Sequence, residues 1–70
     1  MERIKVVSSS LKSVGYDGDH QVLEVEFLSG NVYQYLGVPQ LLYEQLMVAS
    51  SLGTFFSERI RNNFEFRQIR

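Results

Sequence analysis

Five side chains carry most of the chemistry this chain offers. Tyr33 and Tyr35 stand two apart in "NVYQYLGVP", and Arg59, Arg61 and Arg67 follow near the end. Phenol rings stack on flat partners and guanidinium groups hold phosphates, so the set has the makings of a single-stranded RNA site. Other chemistry is sparse. His20 is the only histidine, lies in the turn-like run "YDGDHQ", and reads as a solvated side chain. There is no cysteine, hence no thiol nucleophile and no thiolate metal site. Glu24 and Glu26 share a strand face, but such a pair reads as the solvent side of an amphipathic strand rather than an acid–base couple. No Walker loop, dinucleotide fingerprint or metal cluster is spelled out. The residues predict a binding module rather than an enzyme, with no cofactor and no metal.

"SSLGT", residues 50–54, is a weaker candidate. Backbone amides at a helix start can hold phosphate, and Arg59 and Arg61 follow on the same predicted helix. Capping of a tight helix–helix turn accounts for the same residues and is the expected role. Net charge is −1, which opposes strong non-specific nucleic-acid binding. Every basic residue lies near an end: Arg3, Lys5 and Lys12, then Arg59, Arg61, Arg67 and Arg70. Termini folded side by side would make one basic pole and one acidic pole.

The elements that must position these groups can be read from the pattern. Seventy residues make one domain, 1–70, and 44% hydrophobic residues suit a globular chain. No apolar run approaches the ~18 residues of a membrane helix. The apolar part of "MERIKVVSSS" is too short for a signal peptide, so a cytoplasmic protein with no membrane partner is expected. "IKVV" is a short β-prone run, and "LKSVGYD" reads as an extended stretch with Lys12, Val14 and Tyr16 alternating. "YDGDHQ" turns the chain, with Asp-Gly supplying the positive φ. In "VLEVEFL", Leu23, Val25 and Phe27 face one way and Glu24 and Glu26 the other. "SGN" turns the chain into "VYQYL".

After Val38 the period changes. Pro39 suits a helix start, and Leu42, Leu46 and Ala49 form a stripe with Tyr43 beside it. A second helix, "TFFSERIRNN", takes Thr54 as N-cap, pairs Phe56 with Ile60, and stops at Asn62-Asn63 through left-handed backbone. "FEFRQI" alternates as a last strand. The predicted fold is α+β: an antiparallel sheet of three to four strands with two helices packed on one face. Its expected core is Leu23, Val25, Phe27, Leu42, Leu46, Phe56 and Ile60.

Hairpin register decides where the tyrosines point. A two-residue loop at Ser29-Gly30 sets Glu26 opposite Tyr33 and Glu24 opposite Tyr35. Leu23, Val25 and Phe27 then share the helix-covered face with Val32 and Leu36, and the tyrosines lie on the other face. A three-residue loop sets Tyr33 opposite Phe27 and Tyr35 opposite Val25, which makes the tyrosines core. The two-residue loop is the expected one, because it gives one consistent apolar face.

"SSSLKSVGYD", "LEVEFLSGNVYQYLGVP" and "ASSLGTFFSERIR", in that order, resemble the KTSC domain family, which occurs at the C-terminus of some lysyl-tRNA synthetases and as small stand-alone bacterial proteins. The matching pieces are serines before Gly15-Tyr16-Asp17, the Tyr33-Gln34-Tyr35 triplet, Val38-Pro39, and Ala49, Ser51 and Gly53; the similarity runs from about Val7 to Ile69. The resemblance implies no catalytic residues, and its synthetase context implies RNA as a partner. The RNA reading assigns Tyr33 and Tyr35 to base stacking and Arg59, Arg61 and Arg67 to phosphates. The alternative is a protein-interaction or homodimerisation module that uses the tyrosine-bearing sheet face.

Overall fold

The computed structural model describes residues 1–70. Its elements are β1 (Arg3–Lys5), β2 (Leu11–Asp17), β3 (Val22–Phe27), β4 (Val32–Leu36), α1 (Gln40–Met47), α2 (Leu52–Arg59) and β5 (Glu65–Gln68). The strands form one sheet in the order β1-β2-β3-β4-β5, every neighbouring pair antiparallel. The helices are inserted between β4 and β5 and cover one face. The α+β class and the one-sided helices are as expected. The sheet has five strands rather than three to four. The outer strands are the reason: β1 has three residues, β5 has four, and their largely exposed residues carry almost no burial signal.

The helix-covered face is the core. Leu11, Val14, Leu23, Val25 and Tyr35 from the sheet meet Val38, Leu46, Phe56 and Ile60. Of the expected core, Leu23, Val25, Leu46, Phe56 and Ile60 are buried, and Phe27 and Leu42 pack partly buried against them. Leu11 enters through a β-bulge: it pairs with Phe27 while Ser13 pairs with Glu26, so Lys12 is the extra residue. Unbroken alternation with Val14 and Tyr16 would point Lys12 at the helices. The bulge exposes Lys12 and buries Leu11 instead.

The central hairpin corrects the expected register. Val25 pairs with Tyr33 and Leu23 with Tyr35, which matches neither anticipated pairing. The loop is Leu28-Ser29-Gly30: the Gly30 amide donates to the Phe27 carbonyl at 2.9 Å, and the Phe27 amide to the Asn31 carbonyl at 2.9 Å. This is a turn followed by one left-handed residue, and Gly30 supplies it at φ 98°. A two-residue loop at Ser29-Gly30 would need positive φ at Ser29, which a side chain disfavours. The tyrosines therefore share the helix-covered face with Leu23, Val25 and Phe27. Val32 and Leu36, expected there, lie on the other.

Three local expectations also shift. The positive φ in the first turn falls on Gln21 (56°), not Gly18, while the Asp17 carboxylate accepts from the amides of Asp19 (3.1 Å) and His20 (3.4 Å). α2 starts earlier than Thr54: Ser51 is its N-cap and accepts from the Thr54 amide at 3.3 Å. Asn63 stops the helix with its side chain rather than with left-handed backbone, donating to the Arg59 carbonyl at 2.8 Å.

Candidate binding groove

A half-open groove of about 550 Å³ lies between the β3–β4 hairpin, β5 and the turn after α2. That volume is within the ~300–1,000 Å³ range of small-ligand sites. Its walls are aromatic: Phe27, Tyr33, Tyr35 and Phe66, with Arg61 and Asn62 on one rim. Strand pleating makes this cluster. Tyr33 and Tyr35 are i and i+2 on β4, and Phe66 on β5 pairs directly with Tyr35. Phe66 lies 5.6 Å from Tyr33 and 5.7 Å from Tyr35, ring centre to ring centre. Phe27 meets Tyr33 edge-on at 5.6 Å, and Phe56 meets Tyr35 edge-on at 5.2 Å.

The two tyrosines have different roles. Tyr35 is 3% exposed and belongs to the core, so it cannot lay its ring face against an RNA base. Its ring forms part of the groove floor, and its hydroxyl has no hydrogen bond within the chain. Burial pushes its phenol above the ordinary value, and the nearby Arg61 charge opposes that shift. Tyr33 is half-buried, and its hydroxyl donates to Gln68 Oε1 at 3.3 Å. Phe66 is 57% exposed.

The arginines separate. Arg61 joins the groove. Arg59 ends α2 and holds its guanidinium 5.6 Å from the Phe55 ring centre, outside the groove lining. Arg67 pairs with Gln34 and so lies on the opposite sheet face, where its Nε donates to Gln34 Oε1 at 2.8 Å. Expecting all three beside the tyrosines failed because Arg67 alternates with Phe66 along β5. Phe66 itself was missed as a site residue. Its signal was the period-two run Phe64, Phe66, Gln68, read only as a strand.

The uncovered sheet face is a polar network. Arg3 donates to Glu24 Oε2 at 2.7 Å, and Gln34 donates to Glu24 Oε1 at 2.8 Å. Ser13 donates to Glu26 Oε1 at 2.8 Å, and Arg70 lies 2.9 Å from Glu26 Oε2. The Ser13 hydroxyl, followed by the charges of Lys12, Arg3 and Arg70, holds the Glu26 carboxyl below its ordinary value. β1 and β5 stand at opposite edges, yet Arg3, Lys12 and Arg70 converge on Glu26 on the uncovered face, so the terminal cations meet around carboxylates rather than forming a free basic pole. Arg3 and Arg70 reach inward to the glutamates. Gly15 makes room for this: a Cβ there would sit 2.6 Å from the Glu2 carbonyl.

Position bears on two other expectations. The "SSLGT" segment opens α2, whereas Arg59 and Arg61 lie at and beyond its far end, so they share no phosphate cradle. The helices cover most of the tyrosine-bearing sheet face and leave the groove at Tyr33 and Phe66 as its accessible part.

The KTSC domain model matches residues 7–64. An uncharacterised protein of Stutzerimonas stutzeri is 48% identical over 58 residues, covering 83% of this chain and 82% of that protein. A lysine–tRNA ligase of Nostoc punctiforme is 38% identical over 66 residues, which are 94% of this chain but 12% of the ligase. The crystal structure of a KTSC domain protein from Yersinia pestis superposes with a TM-score of 0.96 at 42% identity, over 99% of this chain and 97% of that one. On sequence and fold together, the chain belongs to the KTSC domain family.

Proposed function

We propose that this domain is a non-catalytic module that holds an unpaired RNA base in the aromatic groove. Tyr33 and Phe66 present ring surface, Tyr35 forms the floor, Arg61 meets an adjoining phosphate, and Arg59 extends the basic side. The observation that carries the reading is the convergence of two accessible rings and one guanidinium on one groove. Arg67 is left out, because it lies on the other sheet face. Glu24 and Glu26 also lie on that face, so the charges that would repel phosphate are turned away from the rings. The ligase relative, named for a tRNA substrate, supports RNA as the partner class. A cytoplasmic setting is part of this reading, since an RNA partner of that kind would be met there.

Each stacked base contributes about 1–3 kcal/mol, and one or two phosphate contacts add a salt-sensitive term. With a net charge of −1, affinity weaker than about 1 μM is expected. The test is an NMR titration with short single-stranded RNA at low salt. Shifts should cluster at Tyr33, Phe66 and Arg61. Arg61→Ala should reduce the salt slope by about one, Tyr33→Ala should weaken binding with little change in slope, and Arg67→Ala should do neither. Absence of shifts at millimolar RNA, or shifts unchanged in a Tyr33→Ala, Arg61→Ala double variant, would refute the reading.

A further inference from the structure

β5 is an edge strand whose four residues are all exposed, and no further strand pairs with it on its outer side. Such an edge is a template for pairing unless something blunts it. The direction of its free backbone groups follows from the hairpin. Phe27 and Asn31 bond across β3–β4, while Val32 exchanges bonds with Arg70 (2.7 and 3.2 Å). By alternation, Val32, Gln34 and Leu36 turn their amides and carbonyls toward β5. Their partners Arg67 and Glu65 turn inward to meet them. Phe66 and Gln68 therefore turn theirs to the free edge.

We propose that β5 pairs antiparallel with β5 of a second copy, about a two-fold axis at Phe66. Phe66 then exchanges both backbone bonds with its counterpart, and Gln68 meets residue 64 of the other copy. Charge selects this register. Centred on Phe66, Glu65 faces Arg67 of the other copy twice, once on each side of the axis. A centre at Arg67 sets arginine against arginine, and a centre at Glu65 sets glutamate against glutamate. Glu65 has no ion-pair partner within its own chain, and Arg67 engages Gln34 through Nε, leaving its terminal nitrogens for a carboxylate. The other edge lacks this complementarity: β1 carries Arg3 and Lys5 on one face, and self-pairing there would oppose like charges. A two-fold contact buries both edges and closes, so assembly stops at two copies. It also brings the two exposed Phe66 rings side by side and joins the two grooves. The proposal does not depend on what the groove binds.

The test is sedimentation of the full chain from about 10 μM to about 1 mM. The mass should rise from 8.1 kDa toward twice that value. E65R and R67E each replace both attractive pairs by repulsive ones and should each weaken association about tenfold or more. An equimolar mixture of the E65R and R67E chains restores opposite charges at both pairs and should associate like the parent. In the unmodified protein, amide exchange at Phe64, Phe66 and Gln68 should slow as concentration rises, while exposed amides outside β5 and its flanks should not change. A monomer throughout the range, association unaffected by either variant, a mixture that fails to associate, or masses beyond two copies would overturn the proposal.

Discussion

Tyr35→Ala distinguishes the observed hairpin register from the one with outward tyrosines, and the two differ severalfold in free energy. In the structure the ring is 3% exposed and sits against Phe56 at 5.2 Å and Phe66 at 5.7 Å. Deleting a ring from such a site leaves a cavity and costs about 3–5 kcal/mol. Seventy residues carry a total stability of about 4–10 kcal/mol at ~0.05–0.15 kcal/mol per residue. The variant should therefore lose a third or more of its stability, or fail to fold. An outward tyrosine on the open face would lose only about 0.5 kcal/mol. Urea denaturation followed by far-UV circular dichroism measures the difference. With a slope near ~1 kcal/mol per molar, the midpoint should fall by about 3 M. Tyr35→Phe is the control: its hydroxyl has no partner in the chain, so the change should cost under about 1 kcal/mol. A Tyr35→Ala midpoint within about 0.5 M of the parent would refute the burial argument and with it the groove floor.

Other perturbations test separate parts of the structure. Gly15→Ala should destabilise by about 1–3 kcal/mol, because the new Cβ meets the Glu2 carbonyl at 2.6 Å; a thermal melt matching the parent would contradict that close approach. Arg3→Met leaves the Glu24 carboxylate, 7% exposed, with Gln34 as its one side-chain donor and should cost about 1–3 kcal/mol in urea. Adding Glu24→Gln should recover part of that loss, and strict additivity would deny the coupling. Hydrogen bonding to Asp17 raises the His20 imidazole above its ordinary 6.5, so its charged form is favoured in the fold. The stabilisation from that pair is fully present below pH 6.5 and is lost as pH rises through the raised value. An NMR titration of the imidazole should give a midpoint above 6.5 that returns toward it in Asp17→Asn; no movement would remove Asp17 as the cause.

Much of the fold was legible because it rests on short-range pattern. The alternation of Leu23, Val25 and Phe27, the change of period after Pro39, and the Phe56–Ile60 pair are local signals, and the structure uses each as read. The serines, the tyrosine triplet and the Val-Pro helix entry also marked the family. What only the tertiary structure decided lay one residue either way. A strand's side chains change face with every residue, so one extra residue in the 28–30 loop moved both tyrosines from the open face to the core. The bulge at Lys12 exchanged Leu11 for a lysine in the same way. Arg61 and Arg67 are close in sequence, yet the β5 pleat sends Arg67 to the glutamate-bearing face while the turn after α2 leaves Arg61 at the groove. Phe66 became a groove wall because β4 and β5, separated by two helices in the chain, are neighbours in the sheet. Local periodicity encodes which residues alternate, but register and strand order are set by contacts between distant segments, and those contacts decided which side chains share a site.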